Sequence, residues 1–267
     1  MKQVASLQYG VIFKKAFSQV DIFVGFVEAV LGIRLEIDKV ETEKSFRPAV
    51  GSVDSRFDLF AQDDKNRIIV DIQHRQTESH YDRFLHYHCA AIVEQMPRGS
   101  STYRPKHTVF TIVVLTSNDR HEKDVLTIDF DPKDLQGQPI NEISHKVVFL
   151  CPKYVNENTP AAYREWMEAI NDTLDAEVDE SHYHNALIHK VFTAIEEDGL
   201  TPTDRYNIIE EAEDKRFIEA ERKKAITEAT LQNSQTIAKN SLAAGLSVDV
   251  IAQITGLTPD EIQQLRD

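Results

Sequence analysis

Long apolar runs and a secretory leader are both missing from this sequence of 267 residues. No segment approaches the roughly 18 uninterrupted apolar residues of a membrane-spanning helix. The stretch MKQVASLQYG lacks the apolar centre of a signal peptide. Only two cysteines occur, Cys89 and Cys151, and they form no CxxC motif. We therefore expect reduced thiols in a cytoplasmic protein without membrane contact, not a disulfide framework.

Positive charge is scarce as well. The sequence has 30 Lys and Arg against 44 Asp and Glu, a formal net charge of -14. This balance argues against a protein that coats nucleic acid, because polyanion binding needs local Lys and Arg. It does not exclude a nuclease, since a site that gathers carboxylates around a metal is itself acidic. Gly-rich phosphate loops, GxSxG and a Cys–His nucleophile pattern are also absent.

The hydrophobic patterns predict an α/β region in the first half of the chain. GVIFKKAFSQVDIFVGFVEAVLG has helical spacing, in two pieces around Gln19–Asp21, and Gly32 supplies a stop. LEIDKVETE, SVDSRFDLFAQ and NRIIVDIQHR are typical of three successive strands. HTVFTIVVLT is the most apolar strand, so we expect it at the centre of a sheet, and HKVVFLC follows as a later strand after a loop rich in Asp, Pro and Gly.

The stretch ESHYDRFLHYHCAAIVEQM predicts a helix between these strands. Its expected apolar stripe consists of Leu85, Cys89, Ile92, Val93 and Met96. From Thr159 onward the pattern is helical. We predict a core over residues 1–155, a helical extension over 156–232 and a small helical module over 233–267.

The C-terminal module has short helices with clear start signals. Ser247 and Thr258 are predicted N-caps, and Glu261 completes a capping box with Thr258. The segment SVDVIAQITGLTPDEIQQL is compatible with a helix-turn-helix, with Gly256 in the turn. Its second helix is acidic, and only Arg266 is basic, whereas a recognition helix needs phosphate-contacting cations nearby. A packing or oligomerisation module is therefore favoured, and a homodimer through these helices is left open.

Two acids occupy matching positions on the second and third predicted strands. A symmetric turn at Asp63–Asn66 would make Asp58 and Asp71 direct cross-strand neighbours, with Cβ atoms about 5 Å apart. Strand alternation then places Ile69, Asp71 and Gln73 on one face. Like charges in this arrangement destabilise a bare sheet, whereas a divalent cation between them reverses the sign of the interaction.

A hard cation such as Mg²⁺ suits this pair. Mg²⁺ keeps several waters, takes one or two carboxylates and uses phosphate oxygens for the remainder. It lowers the pKa of a bound water and stabilises charge on a phosphate. The alternative is that Asp58 and Asp71 are solvated edge charges or partners of Arg56 and Arg75.

At these residues the sequence resembles the PD-(D/E)XK nuclease superfamily and, within it, the recombination-promoting nuclease and putative transposase family. The matching text is FKKAF, RFDLFAQDDKNRIIVDIQ, YDRFLHYHCAAIVEQM with GSSTY, VFTIVVL, and the terminal AKNSLAAGLSVDVIAQITGLTPDEIQQL. The resemblance spans most of the chain, loosely between Asp119 and Thr230. It implies a restriction-endonuclease-like α/β core, with a mixed central sheet flanked by helices, and a helical C-terminal region.

The resemblance also implies roles for the strand residues. Asp58 falls at the first metal-binding acid and Asp71 at the second, where Glu is commoner and one methylene longer. Gln73 falls where many superfamily members carry Lys. The narrower family often has Gln at this position, so Gln73 fits it and would position water without supplying charge. Glu28 is the available acid on the early helices, as a third metal ligand or as an exposed helical Glu.

Cations near these positions are candidates for nucleic-acid contact. Lys14 and Lys15 face DNA backbone or solvent. Arg75, or His74 beside it, is a candidate for the positive field that Gln73 lacks. Arg83 and Tyr87 lie four residues apart and share a helix face.

The function of Arg83 would be phosphate contact and orientation of the site. The alternative for Arg83 and Tyr87 is packing against a loop, because both side chains cover apolar surface well.

The predicted activity is that of a Mg²⁺-dependent DNA endonuclease, with Mn²⁺ as a substitute ion, linked to recombination or mobile elements in a bacterial cytoplasm. Three alternatives stay open. The chain is a nuclease fold with weak or no catalysis that binds DNA or protein; it is a regulator acting through its C-terminal helices; or its target is RNA.

Overall fold

A computed structural model describes residues 1–46, 55–74, 80–96 and 103–265. The chain forms two compact units, 1–208 and 209–267. None of the helices in the described ranges combines the length and the apolar character needed to cross a membrane.

Short strands and helices alternate through most of the described chain. The strands are β1 (Lys2–Gln3), β2 (Glu41–Phe46), β3 (Ser55–Gln62), β4 (Asn66–Gln73), β5 (Thr108–Leu115), β6 (Val125–Asp129), β7 (Lys146–Leu150) and β8 (Glu177–Val178). The α-helices are α1 (Gly10–Phe17), α2 (Val20–Leu31), α3 (His80–Val93), α4 (Ala161–Asp172), α5 (Ala186–Ala194), α6 (Pro202–Ala243), α7 (Val248–Thr255) and α8 (Pro259–Gln264).

Within the described residues, a mixed six-stranded sheet runs through the first unit in the order β2-β3-β4-β5-β7-β6. The first three strands are antiparallel, β4, β5 and β7 are parallel, and β6 returns antiparallel at the far edge. A parallel pair needs a crossover connection, and α3 lies in the connection from β4 to β5. This is the mixed sheet with flanking helices that was predicted.

The strand β5 occupies the centre of the parallel part of the sheet, between β4 and β7. Its residues from Val109 to Leu115 are all buried. A parallel strand covered on both faces has a continuous apolar sequence, unlike the alternation of a half-exposed strand. The prediction that HTVFTIVVLT is the central strand is confirmed.

The alternating residues of β4 separate two layers of core. Ile68 and Val70 pack with the early helices and α4, whereas Ile69 packs with the α3 side. Asp71 follows Ile69 by two positions and therefore shares its face. The predicted facing of this strand is confirmed.

A group of aromatic rings fixes the early helices. Phe17 stacks on Phe13 at 4.3 Å between ring centroids and meets Phe26 at 5.2 Å and Trp166 at 6.1 Å. All four side chains are buried. Because rings of this size each bury a large apolar area, the cluster binds α1, α2 and α4 into one layer against the sheet.

The early helical segment is divided as predicted. Ser18 and Gln19 separate α1 from α2. Gly32 ends α2 with φ 65°, and its N–H donates to the Glu28 carbonyl. A left-handed residue at this position closes the last helical turn, which glycine does without steric cost.

The predicted apolar stripe of α3 is wrong. That stripe was Leu85, Cys89, Ile92, Val93 and Met96. The residues that are fully buried are instead Phe84, His88 and Ala91, while Cys89 and Val93 are exposed. The error is a rotation of about one residue, or 100°, and it arose because a histidine lies on the core side of the helix.

Two strand predictions also need correction. The alternating segment 35–43 was expected to be the first strand, yet β2 begins at Glu41 and Leu35 is a buried loop residue. The strand β6 lies in a region expected to be loop. The short sequence of β6 has no clear strand pattern, and the strand is stabilised by its backbone pairing with β7.

The second unit has a small core of its own. Its buried side chains are Ala238, Ile251, Leu257 and Ile262. The Thr258 hydroxyl accepts from the Glu261 N–H at 3.3 Å, and the Glu261 carboxylate accepts from the Thr258 N–H at 2.7 Å, which confirms the predicted capping box. Ser247 is at the N-cap of α7, without a side-chain bond to that helix.

His88 is held inside the sheet–helix layer as a neutral ring. Its Nδ1 lies 2.9 Å from the Thr111 hydroxyl, and its ring stacks on Phe130 at 5.0 Å. Burial lowers the pKa of His88 to about 3, and the neighbouring His145 adds to the effect. In the unfolded chain, His88 takes up a proton as the pH falls through about 6.5. In the folded chain it stays neutral at that pH.

This difference predicts that the free energy of unfolding decreases as the pH falls below about 6.5. In His88→Gln this contribution disappears, so the slope between pH 7 and pH 5 becomes shallower by up to about 1.4 kcal/mol per pH unit. Urea unfolding at several pH values measures the slope. His86→Gln, an exposed histidine of the same helix, is the control; equal slopes in wild type and His88→Gln would contradict the prediction.

Candidate active site

The strands β3 and β4 form an antiparallel hairpin with Leu59 opposite Val70. Extending this register by one residue places Asp58 opposite Asp71. The turn is held by Asp63, whose carboxylate accepts from two backbone N–H groups within the turn. This is the register that was predicted from the turn residues.

At this pair the two strands exchange side-chain bonds. The backbone N–H of Asp58 donates to Asp71 Oδ1 at 3.0 Å, and the backbone N–H of Ile72 donates to Asp58 Oδ2 at 3.0 Å. Each carboxylate therefore reaches across to the opposite strand. The crossed bonds fix both side chains at the point where the strands end their regular pairing.

The second oxygen of Asp71 has an unusual environment. Asp71 is only 3% exposed. Its Oδ2 is buried, and no hydrogen-bond partner for it occurs among the residues that the structure describes. Burial, with the charge of Asp58 added, raises the pKa of Asp71 to about 8. Burial also raises the pKa of Asp58. Both shifts express the cost of placing two negative charges in a poorly solvated gap.

A divalent cation fits this pair of carboxylates. Oxygen ligands suit hard cations, and an orphaned buried carboxylate oxygen is the atom that such an ion would satisfy. In the described ranges, no three His, Cys, Asp or Glu side chains are grouped so that they could hold a metal together. The fit is therefore to an ion such as Mg²⁺, which takes one or two carboxylates and fills its other positions with water and phosphate oxygens.

A lysine from α1 lies beside the pair. Lys14 Nζ is 3.8 Å from Asp58 Oδ1 and forms an ion pair with Glu43. Glu43 also pairs with Arg56. The negative charge of Glu43 contributes to the raised pKa of both Asp58 and Asp71. Lys14 thus neutralises part of the negative charge around the site.

Sequence reasoning did not find Glu43. The β2–β3 register, with Thr42 opposite Leu59, places Glu43 opposite Asp58. Its φ is 56°, which is uncommon for a residue other than glycine. In the sequence it is one of several acids on an edge strand, so no local pattern distinguished it.

The far end of β4 meets a cation from α3. Arg83 Nη1 donates to Gln73 Oε1 at 3.2 Å. The guanidinium lies over the rings of Tyr87 at 5.3 Å and Phe84 at 5.1 Å. Its positive charge acts to lower the pKa of both Asp58 and Asp71, against the larger effect of burial. Arg83 and Tyr87 share a helix face, as predicted.

The remaining candidate residues lie in other surroundings. Lys15 forms an ion pair with Asp204. Glu28 Oε1 accepts from the Leu35 N–H at 2.9 Å, and the structure does not group Glu28 with the carboxylate pair into a three-acid cluster. Arg75 lies outside the described residues.

Comparison with known families identifies the core. A model described as PD-(D/E)XK nuclease family transposase matches residues 9–229. The chain belongs to this family. The match includes β3, β4, α1 and α3, which carry the carboxylate pair and its neighbouring cations. No curated protein and no solved structure matches the chain.

A second family model covers the C-terminal segment. It is described as Rpn/YhgA-like nuclease family, C-terminal HTH domain, and matches residues 231–267. The match supports the helix-turn-helix alternative for this segment, and the expectation of a packing or oligomerisation role stays a prediction. Gly256, with φ 73°, lies in the turn between α7 and α8.

The raised pKa of Asp71 predicts a pH effect in metal-free protein. Between a pH of about 4 and about 8 the folded chain retains a proton that the unfolded chain releases, so stability falls as the pH rises through this window. Asp71→Asn keeps the acceptor for the Asp58 N–H and removes the titration.

The variant is therefore expected to gain stability relative to wild type as the pH is raised from 5 to 8. Urea unfolding midpoints with a chelator present measure the difference. Asp64→Asn, in the exposed hairpin turn, serves as the control. A constant difference between Asp71→Asn and wild type across this range would refute the assignment.

Proposed function

We propose that this PD-(D/E)XK family member is a Mg²⁺-dependent endonuclease that hydrolyses phosphodiester bonds of DNA. The observation that carries the proposal is the crossed carboxylate pair, Asp58 and Asp71, with one buried oxygen that lacks a partner. In a structural ion pair, a cationic side chain would contact Asp71 Oδ2. In a cation-binding site, this oxygen lacks a protein partner because the bound ion is its partner.

The chemistry divides between the ion and the chain. A divalent cation held by Asp58 and Asp71 would polarise the phosphate and lower the pKa of a water molecule. The two carboxylates fix the position of that charge, and Gln73 orients the attacking water by hydrogen bonding. The water oxygen forms a bond to phosphorus as one P–O bond to a sugar breaks. Solvent takes the proton from the water, and the departing oxygen receives one from solvent.

DNA is the proposed substrate for two reasons. The C-terminal segment matches a helix-turn-helix domain, a fold that typically places a helix in the major groove. Arg83 also lies beside the acid pair, in contact with Gln73, and its remaining donors can contact the phosphate backbone. A role in recombination or mobile-element transfer is proposed from the transposase description of the family. Cys89 and Cys151 are both free, as a reducing cytoplasm would leave them.

Plasmid cutting tests the proposal. Wild-type protein with Mg²⁺ or Mn²⁺ is expected to nick supercoiled DNA, and a chelator should stop the reaction. Asp71→Ala is expected to lose at least about 100-fold in rate, because it removes the ligand that places the ion. Glu142→Ala, an exposed acid in the loop before β7, is the matched control.

Equal nicking by wild type and Asp71→Ala would remove the enzyme proposal as it is framed. A parallel reaction with labelled single-stranded RNA decides whether DNA is the preferred substrate.

Ion binding can be measured without activity. Isothermal titration with Mn²⁺ at pH 7.5 is expected to give one site in wild type and none in Asp71→Ala or Asp58→Ala. Proton release should accompany binding, because the ion displaces the proton that burial holds on Asp71. Heat signals that are the same in all three proteins would contradict the assignment of these ligands.

The second candidate function is that of a DNA-binding protein with a weak or inactive nuclease fold. Gln73, in place of the usual lysine, favours this candidate. Deleting the residues after Gln232 separates the two, since the nuclease core is expected to retain some cutting while losing affinity for DNA. If wild type binds DNA but never cuts it, and the deletion abolishes binding, the binding function is the correct one.

A further inference from the structure

Position 73 lacks the cation that the reaction would use. A Lys beside the two acids can hold positive charge near the phosphate, whereas Gln73 only donates and accepts hydrogen bonds. If the chain cuts DNA as proposed, the charge must come from another side chain. Of the basic residues named as candidates for this site, Lys14, Lys15, His74 and Arg83 lie in the described ranges, and Arg75 lies outside them.

Lys14 is close to the carboxylates but already paired. Its Nζ forms an ion pair with Glu43, and Asp58 lies at 3.8 Å. A cation that two acids share has little net charge left for a phosphate. The same argument removes Lys15, which pairs with Asp204.

His74 follows Gln73 along the chain but serves another contact. Its Nδ1 lies 3.0 Å from the Thr116 hydroxyl, at the ends of β4 and β5. Adjacent residues in extended backbone face opposite sides of a sheet. The His74 side chain therefore does not lie on the face of the sheet that carries Asp71 and Gln73.

Arg83 differs from these residues on each count. It contacts the side chain of residue 73 directly, at 3.2 Å. No Asp or Glu of the described ranges lies within ion-pairing distance of its guanidinium, so its charge is not neutralised locally. Two aromatic rings, those of Phe84 and Tyr87, support the guanidinium.

We propose that Arg83 of helix α3 is the catalytic cation of the site, supplying the charge that Gln73 cannot, by binding the phosphate that is cut. This inference rests on the proposed nuclease function. Gln73 then acts as the acceptor that holds one Arg83 N–H, and the remaining donors of the guanidinium fork are of the type that grips a phosphate in two places.

The geometry suits this role. Arg83 is exposed, so substrate can reach it. Stacking on Tyr87 and Phe84 limits the orientations of the guanidinium before substrate binds, which reduces the entropy lost on binding. The cation comes from a helix, while the acids come from strands, and the Arg83–Gln73 contact joins the two elements beside the acid pair.

A double-mutant cycle tests the exchange of roles. Single-turnover nicking in Mg²⁺ is measured for wild type, Arg83→Gln, Gln73→Lys and the double variant. Arg83→Gln alone is expected to lose about 100-fold in rate. Gln73→Lys restores the cation on the strand, so the same change in that background is expected to lose far less.

Two further variants and two readouts separate catalysis from other roles. Arg83→Lys keeps the charge and the aliphatic stem but loses the two-point guanidinium fork, so it is expected to be faster than Arg83→Gln and slower than wild type. Arg120→Gln is the matched control, because Arg120 is another exposed arginine over a tyrosine ring, that of Tyr81. DNA affinity without metal, measured against salt, reports any simple backbone contact. Urea unfolding confirms that each variant is folded.

The outcomes distinguish this inference from the function on which it rests. If wild type shows no metal-dependent cutting, both fail. The alternative is that wild type cuts and the rate change in the double variant equals, to within about 2-fold, the product of the rate changes in Arg83→Gln and Gln73→Lys. In that case Arg83 does not serve in place of a lysine at position 73, and only the inference fails. A loss confined to DNA affinity, with an unchanged rate at saturating DNA, would also overturn it. So would a folded Arg83→Lys variant that is no faster than Arg83→Gln or, where Arg83→Gln is unstable, one that has lost the whole expected factor of about 100.

Discussion

The electrostatic conflict between Asp58 and Asp71 is the constraint on which the site depends. Each side chain accepts a backbone N–H of the other strand, so neither can turn away to solvent. One oxygen of Asp71 remains buried without a partner among the described residues. Such a pair must hold a proton or a cation, because two bare charges in a desolvated gap are costly. The fold therefore fixes one point on the hairpin where a proton or a cation must offset negative charge.

The rest of the first unit keeps that hairpin in place. The strand β4 is paired along its whole length to the buried strand β5. The aromatic cluster around Phe17 holds α1 on one face of the sheet, while α3 covers the other. Each helix brings one cation to the carboxylates, Lys14 from α1 and Arg83 from α3. The packing of two apolar layers thus sets the charge distribution of the site.

The match to the PD-(D/E)XK nuclease family transposase model covers residues 9–229, most of the chain. Asp71 is one methylene shorter than Glu, and Gln73 cannot carry charge. The cations beside the acid pair therefore come from the helices, Lys14 from α1 and Arg83 from α3. A second family model, of a helix-turn-helix domain, matches residues 231–267, separately from the part of the chain that carries the acid pair.

Local patterns were sufficient for the elements whose periodicity is strong and for the pairing of Asp58 with Asp71, because strand alternation and the turn at Asp63 are short-range properties. They failed for the buried face of α3 and for β6, where a buried histidine and a pairing with a distant strand override local preference. Glu43 was not predicted, and for Lys14 and Arg83, which the sequence named as candidates, only the tertiary structure decided the contacts. Their contacts join residues far apart in the sequence, and only the packing of helices on the sheet brings those charges together.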